Sequence, residues 1–81
     1  MPESPKPTDK QGQYLSFIYY YTKIHRKPPA ETDFQKYFQT SPPTCHSMIK
    51  KLEERGFIRK TPGAPRSIEL AIPRNEIPDL D

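Results

Sequence analysis

The 81-residue sequence has one cysteine, no tryptophan and no long apolar run. A single cysteine cannot form an intramolecular disulfide, and this fits a reducing, cytoplasmic compartment. A membrane-spanning helix needs about 20 consecutive apolar residues, and no such stretch exists. The N-terminus also lacks the apolar segment of a signal peptide. We therefore expect a soluble, cytoplasmic chain that has no membrane partner.

The residue patterns that most enzymes and metal sites need are also missing. The sequence has no glycine-rich phosphate loop and no zinc-type spacing of cysteine and histidine. Cys45 and His46 are adjacent, so on a helix their side chains would diverge by about 100° and could not share a site. We expect no catalytic residues, no cofactor and no metal, and we interpret Cys45 as an inert buried thiol.

Aromatic and basic residues are abundant by comparison. The chain has five tyrosines and four phenylalanines, enough for the core of one small domain. Between residues 23 and 66, ten basic residues stand against four acidic ones, a net charge of +6, whereas residues 69–81 have a net charge of −3. The basic segment is a candidate surface for a polyanion. An ordinary solvated surface is the alternative interpretation.

Capping signals and apolar spacing predict a first helix from Thr8 to about His25. Thr8 and Gln11 have the spacing of a capping box, and no proline interrupts the segment that follows. The predicted apolar face contains Tyr14, Phe17, Ile18, Tyr21 and His25, flanked by Leu15 and Ile24, with Gln13, Ser16 and Lys23 opposite.

Two shorter helices are predicted after the Pro28-Pro29 pair, which ends the first. The second spans residues 30–38, and the helical spacing of Phe34, Tyr37 and Phe38 places all three in the core. The third begins with Ser41 as the N-cap and Pro42 at the first helical position, and ends before Gly56. Its apolar stripe is Cys45, Met48, Ile49 and Leu52.

A β-hairpin is predicted to follow, with strands at residues 57–61 and 67–72 around a turn at 62–65. The fold class is thus mainly α with a small β-hairpin, a winged helix-turn-helix of three helices followed by a two-stranded wing. We divide the chain into a flexible N-terminal arm (1–7), the winged helix domain (8–72) and an acidic C-terminal tail (73–81), whose Ile77 and Leu80 could dock on the domain.

This order of elements predicts binding to double-stranded DNA. The second and third helices would form a helix-turn-helix, and the later helix of that motif, here the third, reads the major groove. The outward face of the third helix begins with small or hydrogen-bonding side chains and continues with lysines. Hairpin cations, including Arg59, can meet the sugar-phosphate backbone. This pattern gives Thr44, His46 and Ser47 as candidate residues at base edges, and Lys50, Lys51, Lys60 and Arg66 as candidates at phosphates.

Residues 8–70 resemble the N-terminal DNA-binding domain of LexA-type repressors. The matching features are Pro28-Pro29, Ser41-Pro42, the run IKKLEERGFI (49–58) and the hairpin sequence GAPRSIEL (63–70). The resemblance implies a repressor-like fold in which Ser41, Pro43, Thr44, His46 and Ser47 face the bases.

Three departures from the LexA pattern limit what the resemblance implies. The turn between the second and third helices is about one residue shorter, and the base-facing residues differ, so the LexA operator is not transferred to this chain. The self-cleaving peptidase domain of LexA is absent from these 81 residues, and we expect no self-cleavage.

From the sequence we predict a sequence-specific, DNA-binding transcriptional regulator, most simply a repressor. The alternative is a winged helix that serves as a protein-interaction module without DNA binding, because fold does not fix function. Tyr19 and Tyr20 lie off the main apolar face of the first helix. They would anchor a homodimer or a small protein partner, or else cover the C-terminal tail, and the sequence leaves both possibilities open.

Overall fold

The structure, a computed structural model, describes residues 6–80. The elements, in chain order, are α1 (Asp9–His25), α2 (Glu31–Phe38), α3 (Pro42–Glu54), β1 (Ile58–Arg59), β2 (Glu69–Leu70) and a short 3₁₀ helix (Arg74–Glu76). Most of the predicted N-terminal arm, residues 1–5, lies outside the described residues. Among the helices of residues 6–80, none combines the length and apolar character that a bilayer crossing requires.

Helix α1 begins at the predicted capping box. The Thr8 hydroxyl accepts a hydrogen bond from the Gln11 amide, and the Gln11 side chain accepts one from the Thr8 amide. Tyr14, Phe17 and Ile18 are buried, as their spacing predicts. Later positions depart from the prediction: His25 and Ile24 are exposed, because the last turn of α1 extends beyond the core.

Ser16 was expected on the solvent side of α1, and this expectation is wrong. Its side chain is fully buried, and its hydroxyl has no hydrogen-bond partner among residues 6–80. The C-terminal segment covers the same side of the helix, since Pro78 packs so closely on Gly12 that a β-carbon there would lie 2.9 Å from the proline ring. Helix α1 is therefore covered on two sides, whereas the spacing of apolar residues in its sequence indicated only one buried face.

Helix α2 contributes aromatic side chains to the core. The Phe34 ring is fully buried and stacks on Tyr14 at a centroid distance of 5.2 Å, and Phe38 also stacks on Tyr14, at 4.4 Å. Tyr37 was also expected in the core, but it is 46% exposed. Its ring lies against Phe17 at the margin of the aromatic cluster, because a helix of only two turns buries just one side of its surface.

Helix α3 begins and ends at the predicted residues. Ser41 is the N-cap, Pro42 takes the first helical position, and Gly56 follows the helix with a φ of 79°, a conformation that glycine adopts without strain. Cys45, Ile49 and Leu52 are fully buried, and Met48 packs beside them. The apolar stripe of the helix therefore faces the core, and its opposite face is left to solvent.

Strands β1 and β2 form an antiparallel hairpin with Ile58 opposite Leu70 and Arg59 opposite Glu69. Each strand has only two residues, fewer than predicted. The intervening loop is held instead by Ser67, whose hydroxyl lies 2.9 Å from the Ala64 carbonyl and accepts a hydrogen bond from the Thr61 amide. Three helices followed by a two-stranded hairpin confirm the predicted fold class.

The C-terminal segment, residues 73–80, packs on α1. Ile77 is buried, and the Gln13 side-chain amide donates a hydrogen bond to the Asp79 carbonyl. The Arg74 guanidinium lies 4.6 Å from the centre of the Tyr19 ring and donates a hydrogen bond to the Tyr20 hydroxyl. Of the two roles considered for these tyrosines, the structure shows contact with the C-terminal segment, made through Arg74.

Candidate nucleic-acid interface

The outward face of α3 begins at its N-cap. The Ser41 hydroxyl donates to the Thr44 hydroxyl oxygen at 2.8 Å, and its own oxygen lies 3.4 Å from the Thr44 amide. Ser41 is thus partly used to start the helix, whereas the neighbouring Pro43 is exposed and makes no polar contact there. The first turn of α3 presents a compact surface that another macromolecule can approach closely.

The next turns of α3 carry unpaired polar side chains. Ser47, Lys50 and Lys51 are exposed. No hydrogen bond or ion pair joins any of these three side chains to another part of residues 6–80. The two ammonium groups are therefore free to meet an anion, and the Ser47 hydroxyl is free to donate or accept a hydrogen bond.

His46 lies at the edge of this face and contacts α2. Its Nδ1 atom is 3.3 and 3.4 Å from the two carboxylate oxygens of Glu31, while 63% of its side chain remains exposed. The candidate residues Thr44, His46 and Ser47 are all exposed on α3. Only His46 among them is oriented by a neighbouring helix.

The hairpin cations have a different environment from the α3 lysines. The Lys60 ammonium lies 3.5 Å from Glu31 Oε2, and its side chain is only 28% exposed. Arg66 Nη1 donates to Asp33 Oδ2 at 3.0 Å, to the Pro28 carbonyl at 3.2 Å and to the Tyr21 hydroxyl at 3.3 Å. Both cations, expected to be free for phosphates, bind to the acidic first turn of α2 and fix the hairpin to it.

Asp33 accepts the hydrogen bond from Arg66 that links the hairpin to α2. Burial acts to raise the pKa of its carboxyl, but the hydrogen bonds from the Ala30 amide and from Arg66 outweigh burial and hold the pKa below its ordinary value. The hydrogen bond to Tyr21, followed by that to Asp33, raises the pKa of Arg66. This pair therefore stays ionised at neutral pH and links α2 to the hairpin.

Cys45 lies on the inner side of α3. Burial, followed by the nearby Glu31 charge, raises the pKa of its thiol to about 11, so the thiolate is scarce at neutral pH. Its sulfur lies 3.5 Å from the Glu31 carbonyl oxygen. The arrangement suits a packed core residue and offers no activated nucleophile.

Glu31 and Asp33 organise the surface, although neither was among the predicted site residues. Both belong to the first turn of α2. The available signal in the sequence was the acidic start of a helix in an otherwise basic segment, but such residues are commonly explained by the helix dipole alone. Their partners in α3 and the hairpin are 15 to 33 residues away, and local spacing does not reveal them.

Three helices, a hairpin and an exposed polar face on the third helix define a winged helix-turn-helix protein. The LexA DNA-binding domain family matches residues 5–67, and the chain belongs to that family. The resemblance noted from the sequence is thereby confirmed, and the matched region is a DNA-binding domain.

Curated relatives agree with the family match. The chain is 34% identical to the LexA repressor of Clostridium perfringens over 74 residues, which cover 90% of this chain and 36% of that protein. It is 35% identical to the LexA repressor of Thermosipho melanesiensis over 65 residues, 80% of this chain and 33% of that protein. The LexA repressor of Bartonella quintana is 38% identical over 64 residues, 78% of this chain and 27% of that protein. The chain thus spans about a third of the length of these relatives.

Proposed function

We propose that this chain binds duplex DNA sequence-specifically and acts as a transcriptional repressor, with α3 in the major groove and the hairpin beside the sugar-phosphate backbone. The observation that carries the proposal is the exposed face of α3, with its unpaired Ser47, Lys50 and Lys51, in a member of the LexA DNA-binding domain family. The repressors among the relatives support the regulatory part of the proposal.

The side chains on the first two turns of α3 are suited to direct contact with the edges of the bases. Thr44, His46 and Ser47 carry groups that donate or accept hydrogen bonds, as base edges require. Lys50 and Lys51 follow one turn later and have no acidic partner among the described residues. In the proposed complex they contact phosphates, which add affinity but little sequence information.

In this proposal the hairpin is held against α2 by its own ion pairs, and it also contacts the sugar-phosphate backbone of the DNA. Lys60 and Arg66 fix its position through Glu31 and Asp33. Arg66 uses Nη1 for its internal bonds, and a guanidinium has further N–H groups that can reach a phosphate. Arg59 is exposed on β1 and is a further candidate for the backbone.

The proposal is tested by selecting tight-binding sequences from random duplexes and then comparing Ser47→Ala with Lys50→Ala. Loss of a base contact at Ser47 should lower discrimination between selected and random duplexes by about 1–3 kcal/mol, with an unchanged salt dependence. Loss of a phosphate contact at Lys50 should weaken binding to both duplexes equally. Competition titrations at two salt concentrations measure both quantities.

Lys10→Ala is the matched control, because Lys10 is an exposed lysine of α1 that lies outside α3, the hairpin and the basic segment 23–66. It should bind both duplexes like the unmodified protein. If no sequence is enriched, or if Ser47→Ala and Lys50→Ala give the same pattern, the proposed reading role of α3 is wrong.

A further inference from the structure

Glu31 lies where three elements meet. It is the first residue of α2, and its carboxylate is 3.3 Å from His46 Nδ1 on α3 and 3.5 Å from Nζ of Lys60, the residue after β1. Its side chain is 29% exposed, less than half the exposed fraction of the His46 side chain. The carboxylate is thus enclosed on the side of its two partners, and the imidazole points its remaining edge toward solvent.

An ionised carboxylate only accepts hydrogen bonds, and this determines the state of the histidine ring. Both Glu31 oxygens lie at Nδ1, so in the neutral ring the proton belongs on Nδ1. Nε2 then carries a lone pair and acts as a hydrogen-bond acceptor. No other polar side chain of residues 6–80 lies within hydrogen-bond distance of the ring to oppose this assignment.

We infer that Glu31 is a positioning residue that holds His46 in the Nδ1–H tautomer, so that His46 Nε2 reads an exocyclic amino group in the major groove. The inference rests on the proposed function and makes it more specific. In the major groove only adenine N6 and cytosine N4 offer amino donors, whereas guanine and thymine offer acceptors at the corresponding positions. His46 therefore selects adenine or cytosine on the strand that it contacts.

Lys60 strengthens the positioning role. Its ammonium lies on Oε2, the carboxylate oxygen that is also the nearer one to His46. Rotation of the Glu31 side chain away from His46 would break the contact with Lys60 as well. The hairpin thus helps to orient a base-reading side chain that lies on a different element.

The first test uses the free protein and needs no DNA. Nitrogen-15 NMR of the imidazole at pH 8 distinguishes a protonated nitrogen from one with a lone pair. We expect a protonated Nδ1 in the unmodified protein and in Glu31→Gln, whose amide oxygen still accepts, and a shift toward the Nε2–H tautomer in Glu31→Ala. The inference is wrong if the unmodified protein has the Nε2–H tautomer, or if Glu31→Ala leaves the tautomer unchanged.

The second test uses duplexes selected by the unmodified protein at the same pH. Each adenine or cytosine of the site is replaced in turn by an analogue without the exocyclic amine. Replacement of the base that His46 contacts should weaken binding of the unmodified protein about fivefold. The same replacement should leave the binding of Glu31→Ala and of His46→Ala unchanged. Glu76→Ala, an equal loss of charge in the C-terminal segment, should respond like the unmodified protein.

The two tests separate failure of the inference from failure of the proposed function. An identical response of the unmodified protein and Glu31→Ala at every base would overturn the inference, even though the protein reads DNA. If selection enriches no sequence, the proposed function fails and His46 reads no base. The NMR result would then still show whether Glu31 sets the tautomer.

Discussion

The outer face of α3 and the hairpin carry the same kinds of basic side chain, yet their surroundings differ. Lys50 and Lys51 are exposed, with no acidic partner among the described residues. Lys60 and Arg66 lie within 3.5 Å of Glu31 and Asp33, and both are held against α2. The α3 lysines have no acidic partner among the described residues, whereas the hairpin cations are already paired with carboxylates of α2.

The difference shows that basic residues in one segment do not form one functional surface. A lysine that is already paired must give up that contact, or share it, before it binds a phosphate, and the net gain is smaller. Free lysines lose only water and counterions. We therefore expect α3 to supply most of the affinity for DNA, and the hairpin cations to supply mainly the geometry.

The largest expected effect comes from removing the core on which both regions rest. Leu52 is fully buried on the inner side of α3. Leu52→Ala should lower the free energy of unfolding by about 2–5 kcal/mol, because it leaves a cavity behind the helix. Urea denaturation measures the change, and Lys51→Ala, one residue away on the outer face, should leave the stability nearly unchanged. Equal losses for the two variants would contradict the assignment of inner and outer faces.

A smaller effect is expected at the contact between α2 and the hairpin. Since the pKa of Asp33 is lowered in the folded protein, its contribution to stability is present above the ordinary carboxyl pKa of about 3.9 and is lost as the pH falls through the lower, folded value. Asp33→Asn should therefore be less stable by about 1 kcal/mol at pH 7, and the difference should close in acid.

The measurement for Asp33 is urea denaturation at pH 7 and again at the lowest pH where the protein stays folded. Asp79→Asn is the matched control, because the Asp79 carboxylate is 95% exposed and should affect the stability at neither pH. A difference between Asp33→Asn and the unmodified protein that is independent of pH would show that Asp33 acts without its charge.

A direct comparison of the two regions is the salt dependence of binding to random duplex DNA. Lys51→Ala should reduce the slope of log K against log salt by about one unit, because one phosphate contact is lost. Lys60→Ala should reduce it by less, because Lys60 already binds Glu31. Titrations at several salt concentrations give both slopes. A loss at Lys60 as large as that at Lys51 would mean that the hairpin cation leaves Glu31 in the complex.

The smallest effect concerns Cys45, where we expect almost no reaction. With a buried thiol whose pKa is raised to about 11, alkylation at pH 8 should be more than about 100-fold slower than in the unfolded chain. The rate of labelling is followed by mass spectrometry with and without urea. Rapid labelling of the folded protein would show that the inner face of α3 opens readily.

Local signals in the sequence predicted the elements of the fold well. The Thr8–Gln11 capping box, the Ser41 N-cap and Gly56 after α3 lie where they were expected. Such features depend on residues three or four positions apart, whose geometry the helix itself sets. The same reasoning identified the outward face of α3, because the apolar stripe fixed which side had to face solvent.

Contacts between distant residues could not be predicted in this way. Tyr37 has the spacing of a core residue but lies at the margin, and Ser16 has the spacing of a surface residue but is buried. In both cases the outcome depends on what packs against the helix from elsewhere in the chain. A hydrophobic pattern states which side chains prefer burial, and it does not state how many sides of the helix are covered.

The sequence by itself determined that this chain forms three helices and a hairpin, that the first and third helices are capped by Thr8 and Ser41, and that its middle is basic. Caps, turns and charge are properties of neighbouring residues. Tertiary structure alone decided which cations are free. Glu31 and Asp33 bind Lys60 and Arg66 only because α2 and the hairpin pack side by side. Ion pairing requires approach to within a few ångströms, and in a folded chain that distance is set by packing and not by position in the sequence.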